Sequence, residues 1–437
     1  MVEKSKGYIS IPTSFIITPH IVFFMYAILS VGSVPIIPFN YGGAYGIYSV
    51  LNALSMFREV IYVYPDKTER RAKINENFYM EGVARNRAVT VLSKSIIGFF
   101  RMLGTNPNIP LSKEAWLFVD KKYRKKVVDI ARKENCVLIF EAPGGLLSLF
   151  EEVSHHIKIL RAHNVEMEFS KTKYSTGNPL REKITDCFLK KLEGEFAMKC
   201  DLIFTVTPED GEKLHTLYGI PKEKMIWIPP PFSTKDITIL SLDEKKKAKS
   251  KKGLEKKICV FLMSASRQNL RQKGYENIKF VDTILNDCAK KFPDVDFLVM
   301  GSICNVIRPH AKNVKLLGIV DEKTKHEILQ IADMAINPVI MGAGINIKMV
   351  EYMAYGIPVV TTKTGARGTF TRDGESAVIR DPENFPDGIE FLLADGERAR
   401  TIGLNARKII EEHFSAEVVA RRAIEAIDRV WLEKYGK

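Results

Sequence analysis

Short apolar runs alternate with amphipathic stretches along almost the whole chain, and that alternation constrains the fold more than any other feature. Continuous apolar runs suit strands buried on both faces, and apolar residues at i, i+3 and i+4 suit helices laid over them. In the first half the pattern predicts strands near 21–29, 60–64, 136–141, 157–161, 202–206 and 225–228, with helices near 44–57, 123–133 and 208–218. The last of these has clear start signals: Thr207 as cap, Pro208 in the first turn, then Glu209 and Asp210. Residues 66–115 are assigned a second and third helix with a long connection. Pro229, Pro230 and Pro231 and a lysine-rich segment then interrupt the pattern. It restarts with strands near 258–263, 297–300, 314–316, 334–336, 359–361 and 377–379. Helices are expected near 275–291, 322–331, 346–355, 385–393, 399–413 and 416–435. Parallel strands need crossover helices, so the expected class is α/β, with two Rossmann-like doubly wound domains facing across a cleft. A chain of 437 residues exceeds what one core usually serves, which agrees with two domains. The division expected is 1–231 and 232–414, with a closing helix over 415–437.

Composition narrows the partners. Net charge is +13, which invites an anionic one. Much of the excess is local: Lys245, Lys246, Lys247, Lys249, Lys251, Lys252, Lys256 and Lys257 crowd together. The run is either a solvated face beside a domain junction or a patch that meets an anionic membrane surface. Aromatic residues do not interleave with these lysines as base-stacking platforms would, so no nucleic acid is expected. Six cysteines lie far apart with no C-x-x-C pair, which argues for reduced, packed thiols and a cytoplasmic setting. Residues 15–39 lack Lys, Arg, Asp and Glu, yet Pro19, His20, Gly32, Pro35 and Pro38 interrupt them. The clean stretch 21–29 falls short of the ~20 residues a spanning helix needs. Neither a membrane span nor a signal peptide is expected there.

The segment from Asn337 to Thr362 carries the densest chemistry. It reads as a strand end, a loop with Gly342 and Gly344, a helix and a second strand, with Gly356 and Pro358 as the stop signals. Lys348, Glu351 and Tyr352 fall at i, i+3 and i+4 and should share one face, opposite Met349, Val350, Met353 and Ala354. A glycine loop opening onto a helix N-terminus suits a phosphate, because free N–H groups and the positive dipole end point at it. A lysine in that first turn is uncomfortable until an anion arrives.

The segment resembles the donor-site signature of family 4 retaining glycosyltransferases of the GT-B fold, G-x-G-x-N-x-K-x-x-E-Y before a G-x-P-V-V strand. Here the matching residues are Gly342, Gly344, Asn346, Lys348, Glu351, Tyr352, Gly356 and Pro358. The resemblance runs continuously from about 258 to 414 and is patchy before that. It implies that Arg267 and Lys273 hold the donor diphosphate and that Glu351 meets the ribose hydroxyls. It further implies that Gly42 and Gly43 form a loop close to acceptor and diphosphate. His163, in the tetrad His163-Asn164-Val165-Glu166, is placed beside the anomeric centre as a hydrogen-bonding group; the residue type alone equally suits a structural histidine at a strand end. In relatives the last helix crosses back to the first domain. Glu141-Ala142-Pro143-Gly144-Gly145 ends a strand and is a candidate for the acceptor side. One departure stands out: Ala343 replaces a glutamate that many relatives carry, which puts in doubt what stabilises the sugar.

Asp294-Val295-Asp296 matches the D-x-D of metal-dependent enzymes. A strand follows the pair, which places both carboxylates at the end of the sheet opposite the ligand, so no metal role is expected. The resemblance thus implies a retaining, metal-independent transfer from a nucleoside diphosphate-sugar to a glycan, lipid-linked or other hydroxyl acceptor, with no separate cofactor. The rivals are a nucleotide-sugar epimerase of the same fold and a non-catalytic subunit that binds sugar nucleotides. The expected setting is cytoplasmic, with peripheral contact to a membrane face as an option.

Overall fold

The computed structural model describes residues 26–32, 35–37, 42–84, 120–141, 149, 152–169, 182–183, 186–187, 189–265 and 274–436. Two sheets organise them. The first contains β1 (Ala27–Val31), β2 (Val60–Asp66), β3 (Arg70–Asn75), β4 (Phe78–Ala84), β5 (Cys136–Phe140), β6 (Lys158–Ala162), β7 (Leu202–Thr205) and β8 (Met225–Trp227). Their spatial order is β3-β4-β2-β1-β5-β6-β7-β8, parallel except for β3 against β4. The second holds β9 (Lys257–Leu262), β10 (Val295–Met300), β11 (Val314–Gly318), β12 (Met334–Asn337), β13 (Val359–Thr361) and β14 (Val378–Ile379). It is parallel throughout, in the order β11-β10-β9-β12-β13-β14.

The all-apolar strands explain this layering. Ile28, Val137, Ile159 and Phe204 face one helical layer of the first sheet, while Leu29, Leu138, Leu160 and Ile203 face the other. In the second sheet Phe261 and Val299 point one way, Val260 and Leu298 the opposite way. Each such side chain contributes about 1.5–3 kcal/mol on leaving water. Order reverses between β1 and β5 and between β9 and β12. Open α/β sheets bind ligands at such switch points, beyond the strand C-termini.

Residues 70–84 correct the expectation of helices after 66. Arg70 to Asn75 and Phe78 to Ala84 form an antiparallel hairpin instead. Its outer strand, Arg-Arg-Ala-Lys-Ile-Asn, is exposed and charged, as an open sheet edge tolerates, and that polarity hid it from a search for apolar runs. Residues 85–115, the rest of that assignment, lie outside the described residues. Gly42 and Gly43 also differ from expectation: they are the first two residues of the helix Gly42–Leu54, not a loop ahead of it.

The lysine run forms the helix Leu242–Lys251, opened by a capping box of Ser241 and Glu244. Lys245 is buried, donates to Ala332 O at 2.7 Å, and burial pushes its amine down to about 8. Lys249 pairs with Asp333 at 2.7 Å, and Lys252 with Glu327 at 2.6 Å. These three side chains brace the second domain and are not free for a membrane. Lys246, Lys247 and Lys251 remain exposed. Among the described residues no helix is long and apolar enough to cross a membrane.

The final helix, Ala416–Tyr435, packs Val419, Ala423 and Ile427 into the core of the first sheet. Trp431 stacks on Tyr26 at 4.8 Å, and Asp428 pairs with Arg58 at 3.2 Å. Where the chain passes between the sheets, Trp227 meets Phe370 at 4.7 Å and Phe414 at 5.4 Å, while Arg422 lies 4.4 Å over its ring.

Candidate functional site

The ends of β9, β12 and β13 build the floor of a cleft of about 940 Å3 between the two sheets. Asn337, fully buried at the end of β12, donates to Thr361 Oγ1 at 3.2 Å and to Gly365 O at 3.1 Å. Its own oxygen accepts from Asn346 Nδ2 at 3.4 Å. Thr362 donates its hydroxyl to Val339 O. These bonds tie the loop after β12 to the turn after β13, so the loop backbone is fixed before any ligand arrives. Asn346 is the cap of the helix Ile347–Ala354 without a side-chain capping bond, which leaves first-turn N–H groups available.

Gly344 has φ of 67°, and a Cβ there would come within 2.8 Å of His163 O. Glycine is therefore required because the other domain's backbone is so close. Gly342 has ordinary φ and no crowding, so of the two loop glycines only Gly344 must be glycine. Arg367 braces the same loop, donating to Gly344 O from Nε at 3.0 Å and from Nη2 at 2.7 Å. Ala343 lines the cleft beside it.

Lys348 and Glu351 face the cleft from successive turns of the helix. Tyr352 does not. It is fully buried, and its hydroxyl accepts from Leu262 N at 2.7 Å, which pins the helix to β9. The correction follows from geometry: Glu351 lies about 60° from Lys348 on one side and Tyr352 about 40° on the other, so the two are about 100° apart and Tyr352 turns toward the sheet. Lys348 stacks its amine 4.8 Å over the Phe261 ring. Burial alone pushes that amine down to about 7, and no carboxylate among the described residues pairs with it. Glu351 is also largely buried, and burial raises its carboxyl against the pull of Lys325, 2.9 Å away.

The facing corner of the first domain is of a different kind. Glu141, directly after β5, accepts from Ser30 Oγ at 2.8 Å and from Arg161 Nη1 at 3.3 Å. His163 Nε2 donates to the same carboxylate at 2.9 Å. Burial opposes ionisation of Glu141, but Arg161 and His163 outweigh it and hold its carboxyl low. Arg161 is fully buried and also donates to Gly46 O at 2.6 Å. Burial, then Arg161, lowers the His163 imidazole, which favours its neutral form. The ring is thereby fixed through Nε2, with Nδ1 as its remaining polar atom.

Sequence reasoning placed Lys348, Glu351, Asn346 and Gly344 together, and the cleft holds all four. His163 abuts Gly344 across the domain boundary through its carbonyl. Gly42 and Gly43 open the helix that brings Tyr45 to the cleft wall. Arg267 and Lys273 lie outside the described residues, as do residues 142–148 of the strand-end segment after Glu141. Asp296 sits at the start of β10 and pairs with Lys315 at 2.7 Å, away from the cleft. Arg367 and Lys325 were missed. Arg367 follows a strand C-terminus, which was a usable signal; Lys325 lies mid-helix and had none.

Residues 260–395 match the family model of "Glycosyl transferases group 1", which takes in β9 through the site helix and β14. A curated relative, an "uncharacterized 44.6 kDa protein in cps region" of Klebsiella pneumoniae, is 22% identical over 406 residues, covering 87% of this chain and 95% of that protein. The sucrose-phosphate synthase of Thermosynechococcus elongatus superposes with a TM-score of 0.67 at 13% identity, covering 93% of this chain and all (100%) of that one. Anabaena Alr3699/HepE, solved in complex with UDP-glucose, gives 0.59 at 12% identity over 92% of this chain and 100% of that one. The fold of this chain is therefore GT-B, two doubly wound domains facing across a cleft.

Proposed function

We propose that this chain is a glycosyltransferase that moves a sugar from a nucleoside diphosphate-sugar to a hydroxyl acceptor with retention of configuration. The observation that carries the proposal is Lys348: a desolvated amine with no carboxylate partner among the described residues, at the open N-terminus of a helix, inside a cleft large enough for a sugar nucleotide. A departing diphosphate gains negative charge as the glycosidic bond breaks. A fixed cation and first-turn N–H groups stabilise that charge more than they stabilise the intact donor. Glu351 is suited to the ribose hydroxyls, since an ionised carboxylate only accepts. His163, held by Glu141, faces the loop that would surround the transferred sugar. With no covalent nucleophile assigned, the acceptor attacks from the side the diphosphate leaves, and a leaving phosphate oxygen takes its proton. Arg267 and Lys273 are proposed to complete the diphosphate site. The match over residues 260–395 and the UDP-glucose bound by the Anabaena protein support a sugar-nucleotide donor. Lys246, Lys247 and Lys251, exposed on one run, support contact with an anionic membrane face where a lipid-linked acceptor would lie.

Thermal unfolding with UDP, GDP and ADP tests the proposal. At a concentration of 100 times Kd the matching nucleotide should stabilise the protein by about 2.7 kcal/mol. No shift with any of the three contradicts it. Turnover of donor without acceptor would favour the epimerase instead.

A further inference from the structure

Lys325 is a second cleft cation, and unlike Lys348 it lies against a carboxylate. The helix Glu322–Ile331 sets its amine 2.9 Å from Glu351 and 2.8 Å from Glu322. Glu322 is 88% exposed, whereas Lys325 and Glu351 are 21% and 12% exposed, so water screens the inner pair far less than the outer one. Glu351 has further charged or titratable neighbours on every side. Lys348 lies one turn earlier on its own helix, and Tyr352 and Tyr355 follow it. Tyr45 reaches the same wall from the first domain, and His326 bonds the Tyr355 hydroxyl at 2.8 Å. Burial pushes Glu351 up, and Lys325 is the neighbour that pulls it down; Glu322 pushes the same way as burial. Burial likewise works against the Lys325 charge, but Glu351 and Glu322 together hold its amine above the ordinary value.

We propose that Lys325 is a positioning residue for the hydroxyl-bearing end of the nucleotide: it keeps Glu351 ionised, with one carboxylate oxygen fixed on the amine and the other free for a ribose diol. This rests on the donor-site reading above. A neutral carboxyl would carry a proton that competes with the donor hydroxyls of a diol, while an ionised one presents acceptors alone. Take Lys325 away and the causes left acting on Glu351 among the described residues, burial and Glu322, both push toward the neutral form. The carboxyl would then protonate in a pH range where the wild type stays ionised.

The test compares wild-type protein with Lys325→Met by calorimetric titration with UDP, with GDP and ADP as further probes, at pH values from 8 to 5.5. Protonation of the nucleotide and titration of Lys348 affect both proteins, so the readout is the ratio of the two Kd values. That ratio is expected to grow as pH falls, by up to about tenfold per unit where Glu351 is protonated in the variant but not in the wild type. Lys325→Arg, which restores the charge, should return the ratio to a constant. A ratio for Lys325→Met that stays constant across the range overturns the inference while leaving the donor site standing. Absence of wild-type binding to all three nucleotides overturns both. Should Lys325→Met not fold, Lys325→Gln, which keeps most of the stem and loses the charge, is read in the same way.

Discussion

Two carboxylates little exposed to solvent, Glu141 in the first domain and Glu351 in the second, have opposite surroundings. Glu141 in the first domain has Ser30, Arg161 and His163 around it and is held in its charged form. Glu351 in the second has one lysine against it, and burial still drives it upward. Three residues away, Lys348 has no carboxylate partner at all among the described residues. In the first corner each charge has an opposite partner; in the second, among the described residues, Lys348 has none. A complete network holds shape, in this case the His163 ring. An incomplete one, costly to the empty protein, marks where binding energy will be released.

The comparison breaks most visibly at Glu141. Replacing it with alanine strands a fully buried arginine, and a urea unfolding curve should lose about 3–5 kcal/mol. Its carboxyl is lower in the folded state than unfolded, so its stabilising share is present above the unfolded-state value and fades as pH falls through the folded one. A loss below about 1 kcal/mol would mean that the corner is not closed after all. Lys348→Ala should behave in the reverse way. Transfer should fall by about 100- to 1000-fold, while the unfolding midpoint stays level or rises. The sign follows from a folded pKa of about 7, below that of an unfolded lysine. The charge then costs stability most fully below pH 7, and that cost shrinks as pH rises toward the unfolded value. The gain in the variant should therefore be fullest below about pH 7 and fade as pH rises toward the unfolded-lysine value; loss of stability in the variant would refute the incomplete corner.

How much of this was legible in the sequence depended on which force shaped each part. Strands buried on both faces, such as Cys136–Phe140 and Val295–Met300, declare themselves through unbroken apolar runs. The β3–β4 hairpin did not, since an edge strand reading Arg-Arg-Ala-Lys-Ile-Asn satisfies solvent on its outer side. Loop and helix around Gly344 and Lys348 were legible because glycine, cap and stop residues stand at fixed spacings. What escaped were contacts made only by folding. Nothing local brings Lys325 to Glu351, 26 positions on (351 − 325), or sets Gly344 against His163 O from the other domain. Likewise helical spacing puts Tyr352 on the face of Lys348 and Glu351, whereas its hydroxyl takes the Leu262 N–H inside the sheet.

The central claim is that Lys348 waits for a diphosphate, and proton counting tests it most directly. At pH 8 an amine with a pKa of about 7 is mostly neutral in the empty cleft. A bound diphosphate must restore its charge. Calorimetric titration of UDP, or of GDP or ADP if either binds better, in buffers of different ionisation enthalpy should then show uptake of about 0.9 proton. Lys348→Met should take up none. Equal uptake by both proteins, or none by the wild type, would contradict the account.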